Sequence, residues 1–563
     1  MRRTVSYSWH LATLAALLVA AAPAGANTPT AIRARLGEPG VATLAGERLT
    51  VHPGVASFYA ARQWAPAFAQ PDAQRALLAR VYDAASDGLD PQALGSDRAV
   101  AIARELDAAR RAGRTALVAA RLADLDIALT DVFLRYGDAL LGRDVDAALL
   151  YGEAWHPARR PGDPAASLRA ALTRPRPAHA VVAALDALAP AHAEYAALRA
   201  RLARLQALLR AGWLPLTAPD SVAVGTRSVR VPALRERLVG LGFASPAFDD
   251  PYAIDSSLVD ALRDFQRAAA LPATGSADAA TIEVLNRPPH ALAATLALNL
   301  ARWRWLPDDL GERHVLVNLA AYSIEVREQF AGTTQTVIEM PAVIGMARAG
   351  SWITPVLTDS IRQVVFQPSW YVPPSIAASV IFPYAKADSG TTLAARGFET
   401  YFNGASVDPA TLDWDVVTPG QLRFVQRPGT GNALGRIKFV MPNPYFILIH
   451  DTNKPWSFRA SARAFSHGCI HAGDPLALAR YVLGSCGALG ADETDAAYRD
   501  WSTLAVDVTA PMPVHLVYFT AWPDADGRIR YFEDVYRHDP VLAEALGVAP
   551  LEGIKAITRK LAA

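Results

Sequence analysis

Cysteine is the scarcest reactive group in this chain: 563 residues hold two, Cys469 and Cys486. A disulfide-framed fold is excluded, because one intramolecular pair is the most they allow. Zinc sites built on paired cysteines lack their raw material too. Charge of one sign is also missing. A net charge of +1 gives no pull toward nucleic acid or an anionic membrane, so no nucleic-acid partner is expected. Long apolar runs are absent beyond the first residues, and nothing there is long enough to span a bilayer. What remains is ordinary globular composition, 52% hydrophobic and 19% charged. The length is too great for one core, and about three or four domains are expected.

The chain opens MRRTVSYSWHLATLAALLVAAAPAGA. Arg2 and Arg3 form a positive flank, Leu11 to Ala22 a short apolar run, and Ala24-Gly25-Ala26 a small-residue cleavage site. This predicts a secretory signal peptide over residues 1–26, with an uncleaved anchor as the alternative. Export permits disulfides, so a Cys469–Cys486 pair that consumes both thiols stays open.

The pattern predicts a multidomain α+β protein. Residues 27–215 are rich in Ala, Leu and Arg; LVAARLADLDIALTDVFLRYGDALL and EYAALRARLARLQALLRAGW repeat apolar residues at three and four, which predicts helices. Residues 224–287 read as three helices. VRVPALRERLVGLGF ends at a glycine, Asp255 or Ser256 caps DSSLVDALRDFQRAAAL, and Asp278 stands near the start of SADAATIEVLNRP. Over 300–540 short β-branched and aromatic runs are broken by Pro and Gly, as in HVLVNLAAYSIEVREQ, SIRQVVFQPSWYVPP, GRIKFVMPN and YFILIHD. This is a mainly β domain. Its insert, residues 372–427, opens with a helix after Pro374 and continues turn-rich, in the manner of a lid or of a plain surface excursion. Residues 541–563 form a tail.

Cys469 lies in AFSHGCIHAGDPLALA. Three readings compete. For a metal, His467, Cys469 and His471 alternate and would share one strand face. Only His450 is a further histidine nearby in sequence, so no metal and no other cofactor is expected. The buried-cysteine reading suits Cys486, which follows an apolar helix among small residues. Cys469 has no apolar stripe around it. Asp474 and Pro475 open a helix ending at Gly484, which puts Cys469 in the loop before it. Gly468 can adopt conformations other residues resist, so that backbone N–H groups converge as an oxyanion hole requires. A nucleophilic thiol, with an unperturbed pKa near ~8.5, needs a base. His450 ends the strand YFILIH, and Asp451 follows to orient its ring by side chain or carbonyl. His467 is the rival base, but so close to Cys469 it more easily points away or shapes the loop. The nucleophile is the reading the spacing favours.

IHDT followed by RAFSHGCI resembles the catalytic signature of L,D-transpeptidases with the YkuD-type fold. PGTGNALGRIKFVMPNPY is similar to the approach strand of that family's large Gram-negative branch, ARWRWLP to the segment that opens its catalytic domain, and VHLVYFTAWPDADGRIRYFEDVY to its tail. The three helices carrying FQRAAALPATG resemble the peptidoglycan-binding domain of cell-wall enzymes. The resemblance implies a helical scaffold, a peptidoglycan-binding module and a catalytic β domain, working in the periplasm. It implies Cys469 as nucleophile, His450 as proton acceptor and donor, and backbone at Gly468 and Cys469 as oxyanion hole. Ser466, His467 and Asp451 would shape and orient. Residues 372–427 would cap the cleft, and Trp370, Tyr371 and Asn432 would line it.

The implied reaction is a cross-link between third-position diamino acids of peptidoglycan stem peptides, through a cysteine thioester. Acylation by carbapenem inhibitors is implied too, and there is room for other cell-wall synthases as partners. One position departs: the family usually has Arg or Asn two after the cysteine, and here it is His471, neutral over much of the working pH range. That puts substrate preference in doubt more than chemistry. Two alternatives stand beside this reading. The same thioester can be hydrolysed, which gives an L,D-carboxypeptidase or endopeptidase. Or the chain is a non-catalytic wall-binding scaffold, with Cys469 oxidised or His450 misplaced.

Overall fold

The computed structural model describes residues 28–156, 160–219, 223–244, 249–269, 271–287, 289–347, 352–524 and 527–548. The expected signal peptide and most of the tail lie outside these residues. Among the described residues no helix is long and apolar enough to cross a membrane.

The N-terminal region is helical, as its periodicity predicts. Its axis is Thr115–Leu140, a 26-residue helix whose C-terminal two-thirds are buried beneath its neighbours. Two strand pieces escaped the sequence reading. β1 (Val41–Leu44) and β2 (Glu47–Thr50) form a small antiparallel hairpin. β3 (Trp155–His156) leaves the helices altogether and joins the main sheet of the β domain. Two residues carry too little pattern to mark a strand.

The three-helix module, Val231–Leu241, Ser256–Ala268 and Ala279–Leu285, forms as its caps predict. Asp255 accepts from the Leu258 amide and Asp278 from the Thr281 amide. FQRAAALPATG also gains a physical account. Buried Gln266 donates to Thr274, Ser276 and Thr281 and accepts from the Gly275 amide, so one side chain clamps the whole turn.

ARWRWLP stands just before the first long strand of the β domain. It ends the helix His290–Arg304, which lies among three units. Arg302 pairs with Asp539 at 2.5 Å, Trp303 stacks on Phe519, and Arg304 donates to the Asp87 carbonyl of the N-terminal helices. The tail segment around Asp539 is thereby locked to the core, and its residues His538–Ala545 are helical.

The strands of the β domain are β4 (Arg313–Asn318), β5 (Ser323–Phe330), β6 (Thr333–Gly345), β7 (Val356–Phe366), β8 (Trp370–Tyr371), β9 (Phe398–Phe402), β10 (Ala405–Val407), β11 (Leu422–Gln426), β12 (Ile437–Val440), β13 (Ile449–His450), β14 (Ala464–Ser466), β15 (Ile470–Ala472) and β16 (Leu504–Val517). The sheet runs β12-β13-β15-β6-β5-β4-β16-β7, and β7 then pairs back with β12, which closes it into a ring. One edge of β7 holds β16; the other holds β12 along one half and β3 along the other. The interior is filled by Val317, Ile324, Ile344, Val364, Phe439 and Ile449, among others. The insert is a folded unit with its own sheet, β10-β9-β11-β8, and its own small core around Phe398 and Trp414. The helix after Pro374 is present, but GFETYFNGASV, read as turn-rich, is the β9–β10 hairpin.

Arg302 and Asp539 are both almost fully buried. Asp539→Ala strands the guanidinium without its ion-pair partner, and should cost about 3–5 kcal/mol of stability. Urea unfolding followed by tryptophan fluorescence measures it; a loss under 1 kcal/mol would show the pair to be dispensable.

Candidate active site

Alternation along the short strands sets the site. Ile437, Phe439, Ile449 and Ile470 face the barrel interior, so Lys438, His450 and His471 face outward from adjacent strands. His450 is nearly fully buried there. Its Nδ1 lies 2.5 Å from the Asp451 carbonyl. A carbonyl only accepts, so Nδ1 carries the proton and Nε2 keeps the lone pair. Burial pushes the imidazole down to about 4; the Asp451 contact opposes this and nearby Lys438 adds to it. His450 is a neutral base at working pH.

The Asp451 carboxylate is not the orienting group. It accepts from the Arg436 and Thr452 amides and ties strand β13 to the start of β12. A Cβ on Gly435 would fall within 2.6 Å of that carboxylate, which accounts for the glycine in NALGRIKF.

Ser466–Cys469 form a tight turn between β14 and β15. Gly468 has φ +111°, a backbone that L side chains rarely adopt. Ser466 Oγ donates to the Cys469 carbonyl at 2.5 Å and accepts from the Gly468 amide at 3.1 Å. From the other side Thr354 Oγ1 donates to the Gly468 carbonyl at 2.7 Å and accepts from the Gly345 amide at 2.9 Å. Tyr536 closes the shell, donating to the Gly345 carbonyl at 2.7 Å and accepting from the Thr354 amide at 3.2 Å. The Gly468–Cys469 peptide is thus held by its carbonyl. The Gly468 N–H is already used on Ser466. The Cys469 N–H has no hydrogen bond among the described residues. Gly468 therefore supplies conformation and an anchor, and the free donor belongs to Cys469.

Cys469 precedes strand β15 rather than the helix directly, and the helix Pro475–Ser485 follows with Asp474 as its cap. Its thiol is half-buried and donates to the Phe446 carbonyl at 3.7 Å. Burial pushes the thiol up, opposed by a hydrogen bond from the Leu448 backbone. No hydrogen bond joins the sulfur to His450 among the described residues; the register pairs His450 with His471, two residues on from Cys469. Both cysteines are free, so no Cys469–Cys486 bridge forms. Cys486 caps the Pro475–Ser485 helix.

The remaining candidates separate. The His467 ring packs on Trp352, centroids 4.2 Å apart, and burial holds it neutral. His471 lies beside His450, ring centroids 4.6 Å apart. Trp370 packs half-buried toward Phe398 at the base of the cap, and Tyr371 is exposed. Asn432 is corrected from substrate ligand to loop staple: its buried amide donates to the Pro368, Gln426 and Arg427 carbonyls and accepts from Leu434. Thr354, Tyr536 and Phe446 were not found from sequence. Thr354 and Tyr536 lie far from Cys469 in the chain, and Phe446 meets the thiol through its backbone carbonyl, which residue type does not mark. Among the described residues no group of three or more His, Cys, Asp and Glu is arranged to hold a metal ion.

Residues 312–508 match the L,D-transpeptidase catalytic domain model, 227–285 a model described as "Putative peptidoglycan binding domain", and 53–202 a scaffold domain. By these matches the chain carries an L,D-transpeptidase catalytic domain beside a scaffold domain and a peptidoglycan-binding domain. A Haemophilus influenzae protein described as "Putative L,D-transpeptidase" is 28% identical over 245 residues, 43% of this chain. The chain spans about half the length of that relative, 48%. Two solved structures are similar: an L,D-transpeptidase from Xylanimonas cellulosilytica (14% identity, 53% of this chain and 98% of that one, TM-score 0.15) and a fused Zn-dependent amidase/peptidase/peptidoglycan-binding protein from Clostridium acetobutylicum (12%, 53% and 99%, TM-score 0.13). Those scores are too low to define the fold by superposition.

Two outcomes follow from this geometry. His450 must be unprotonated to accept a proton, and its depressed pKa keeps it so down to about pH 4. The rate of Cys469 acylation, corrected for stability, should hold between pH 8 and about 5 and fall only below that; an acid limb near 6.5 would contradict the buried, neutral ring. Thr354→Val removes the anchor of the Gly468 carbonyl and should slow acylation about tenfold, while Thr354→Ser keeps most of the rate. Equal rates in both variants would remove Thr354 from the account.

Proposed function

We propose that the protein is a peptidoglycan L,D-transpeptidase that cross-links third-position diamino acids of stem peptides through a thioester on Cys469. The observation that carries this is a thiol on an anchored Ser-His-Gly-Cys turn next to strand β15, with a neutral imidazole on the adjoining strand β13 whose Nδ1 is held by the Asp451 carbonyl. In the first step the sulfur attacks the carbonyl carbon of the third stem residue as its proton passes to His450 Nε2. A C–S bond forms and the carbonyl oxygen becomes an oxyanion facing the Cys469 N–H. Such a donor is worth roughly 3 kcal/mol. The oxyanion collapses, the C–N bond to the terminal D-alanine breaks, and His450 returns the proton to the departing amine. In the second step the side-chain amine of another stem attacks the thioester. His450 takes the amine's proton, a C–N bond forms, the C–S bond breaks and the thiol is restored.

Because thiol and imidazole both rest neutral, the nucleophile is generated during attack rather than stored as an ion pair. The sequence supports a periplasmic setting through its signal-like N-terminus. The three-helix module would hold the enzyme on its polymeric substrate and raise local concentration. Carbapenems, as strained acyl donors, should acylate the same thiol.

The test is product analysis with purified disaccharide-tetrapeptide, for wild type, Cys469→Ala and His450→Ala, alongside meropenem. Wild type should release D-alanine, form cross-linked dimer and gain a meropenem adduct, and Cys469→Ala should do none of these. His450→Ala should lose about 100-fold or more in rate. Tripeptide without dimer would make the enzyme a hydrolase. No product and no adduct from reduced wild type would favour a wall-binding scaffold.

A further inference from the structure

Lys438 of β12 stands directly opposite His450 of β13, and His450 directly opposite His471 of β15. Opposed residues on paired strands project from the same face. The three side chains therefore form one row on the outer face of the barrel, with the candidate base at its centre. Lys438 is half-buried and has no carboxylate or hydrogen-bond partner among the described residues. Asp451, the acid next to His450, spends its carboxylate on the Arg436 and Thr452 amides. On the other flank His471 Nδ1 is buried and also unpartnered. A partly desolvated ammonium with no counter-charge is costly, and an anionic ligand group would supply the missing charge.

The choice of residue type points the same way. The chain has 55 Lys and Arg, and only five are lysine: 386, 438, 454, 555 and 560. Where arginine is the default cation, this position has the compact point charge instead, which suits a single carboxylate oxygen rather than a bidentate fork.

Chemistry selects which carboxylate. In the proposed reaction His450 protonates the departing amine, and the α-carboxylate of that D-amino acid sits on the same carbon. A base that reaches the amine leaves the carboxylate beside itself, within reach of a flanking side chain. Of the two flanks, His471 is held neutral, chiefly by burial and then by His450 and Lys454, with its pKa at about 2. Lys438 is the flank that carries charge.

We propose that Lys438 is the carboxylate-binding residue of the donor subsite, holding the α-carboxylate of the departing D-amino acid beside His450. This rests on the acyl-transfer reading above. It makes the enzyme selective for stems that end in a free acid, and it makes Lys438, rather than the residue two after the cysteine, the determinant of that selectivity.

The test uses the full chain and three donors: disaccharide-tetrapeptide ending in D-alanine, the same ending in D-alaninamide, and the free acid with the side-chain carboxylate of its diamino acid amidated. Release of the terminal residue is followed for wild type, Lys438→Met and Lys438→Arg, with thermal melts to verify folding. Wild type should prefer the free acid over the terminal amide by on the order of 10- to 100-fold in kcat/KM. Lys438→Met should lose that preference by slowing on the acid alone, and Lys438→Arg should keep part of it. Amidating the diamino acid should leave the ratio of variant to wild type unchanged. Equal slowing on acid and amide would mean a structural role, and a preference surviving in Lys438→Met would overturn the proposal. A ratio that tracks the diamino acid would assign Lys438 to the other carboxylate and equally overturn it. Failure of wild type to release the residue from any donor would instead refute the acyl-transfer reading, and this proposal with it.

Discussion

The closure of the sheet on β7 is the constraint from which the site follows. Because β7 pairs with β16 on one edge and with β12 on the other, the two-residue strand β13 and the three-residue strand β15 are held in a ring they could not form alone. Inward Ile449 and Ile470 then fix the register. A one-residue slip would bury His450 in the apolar interior and expose isoleucine. The outward face and everything on it, Lys438, His450 and His471, is a consequence of core packing.

The second layer is the turn that presents the sulfur. Its two carbonyls are tied from opposite sides, Cys469 by Ser466 and Gly468 by Thr354, and Thr354 is itself held by Tyr536. Tyr536 accepts order from the tail: its amide donates to the Tyr518 hydroxyl, which donates to Asp534. Arg302, from the helix after the three-helix module, pairs with Asp539 nearby. On the imidazole side, His156 of β3 stacks on Tyr445 and hydrogen-bonds to it, one residue before the Phe446 carbonyl that faces the thiol.

Much of this was legible in the chain. Helical periodicity, the caps Asp255, Asp278 and Asp474, the glycine after Val231–Leu241 and the change to β patterning after about residue 300 are local signals, and local signals survive in sequence. The strand-end position of His450 and the glycine turn before Cys469 were legible as well. Contacts that close over long separations were not legible. Thr354 and Tyr536 act on Gly468 from 114 residues before it and through Gly345 from 191 residues after that glycine. Strand β3 is two residues inside a helical region. Asn432 resembled a ligand because a polar residue in a glycine-rich loop can serve either role; only its carbonyl partners show it spent on the loop. Asp451 was read correctly in its carbonyl and not in its carboxylate, since neighbouring amides compete for a side chain in ways spacing does not record.

The central claim is that Cys469 becomes a thioester of the stem peptide, with both partners neutral beforehand. Intact mass of the reduced protein, acid-quenched within seconds of mixing with disaccharide-tetrapeptide, tests it most directly. The account predicts a covalent increment equal to the donor less its terminal D-alanine, located on the peptide containing Cys469 and missing from Cys469→Ala. An unmodified protein that nonetheless turns over the donor, or an increment that persists in Cys469→Ala, would contradict it.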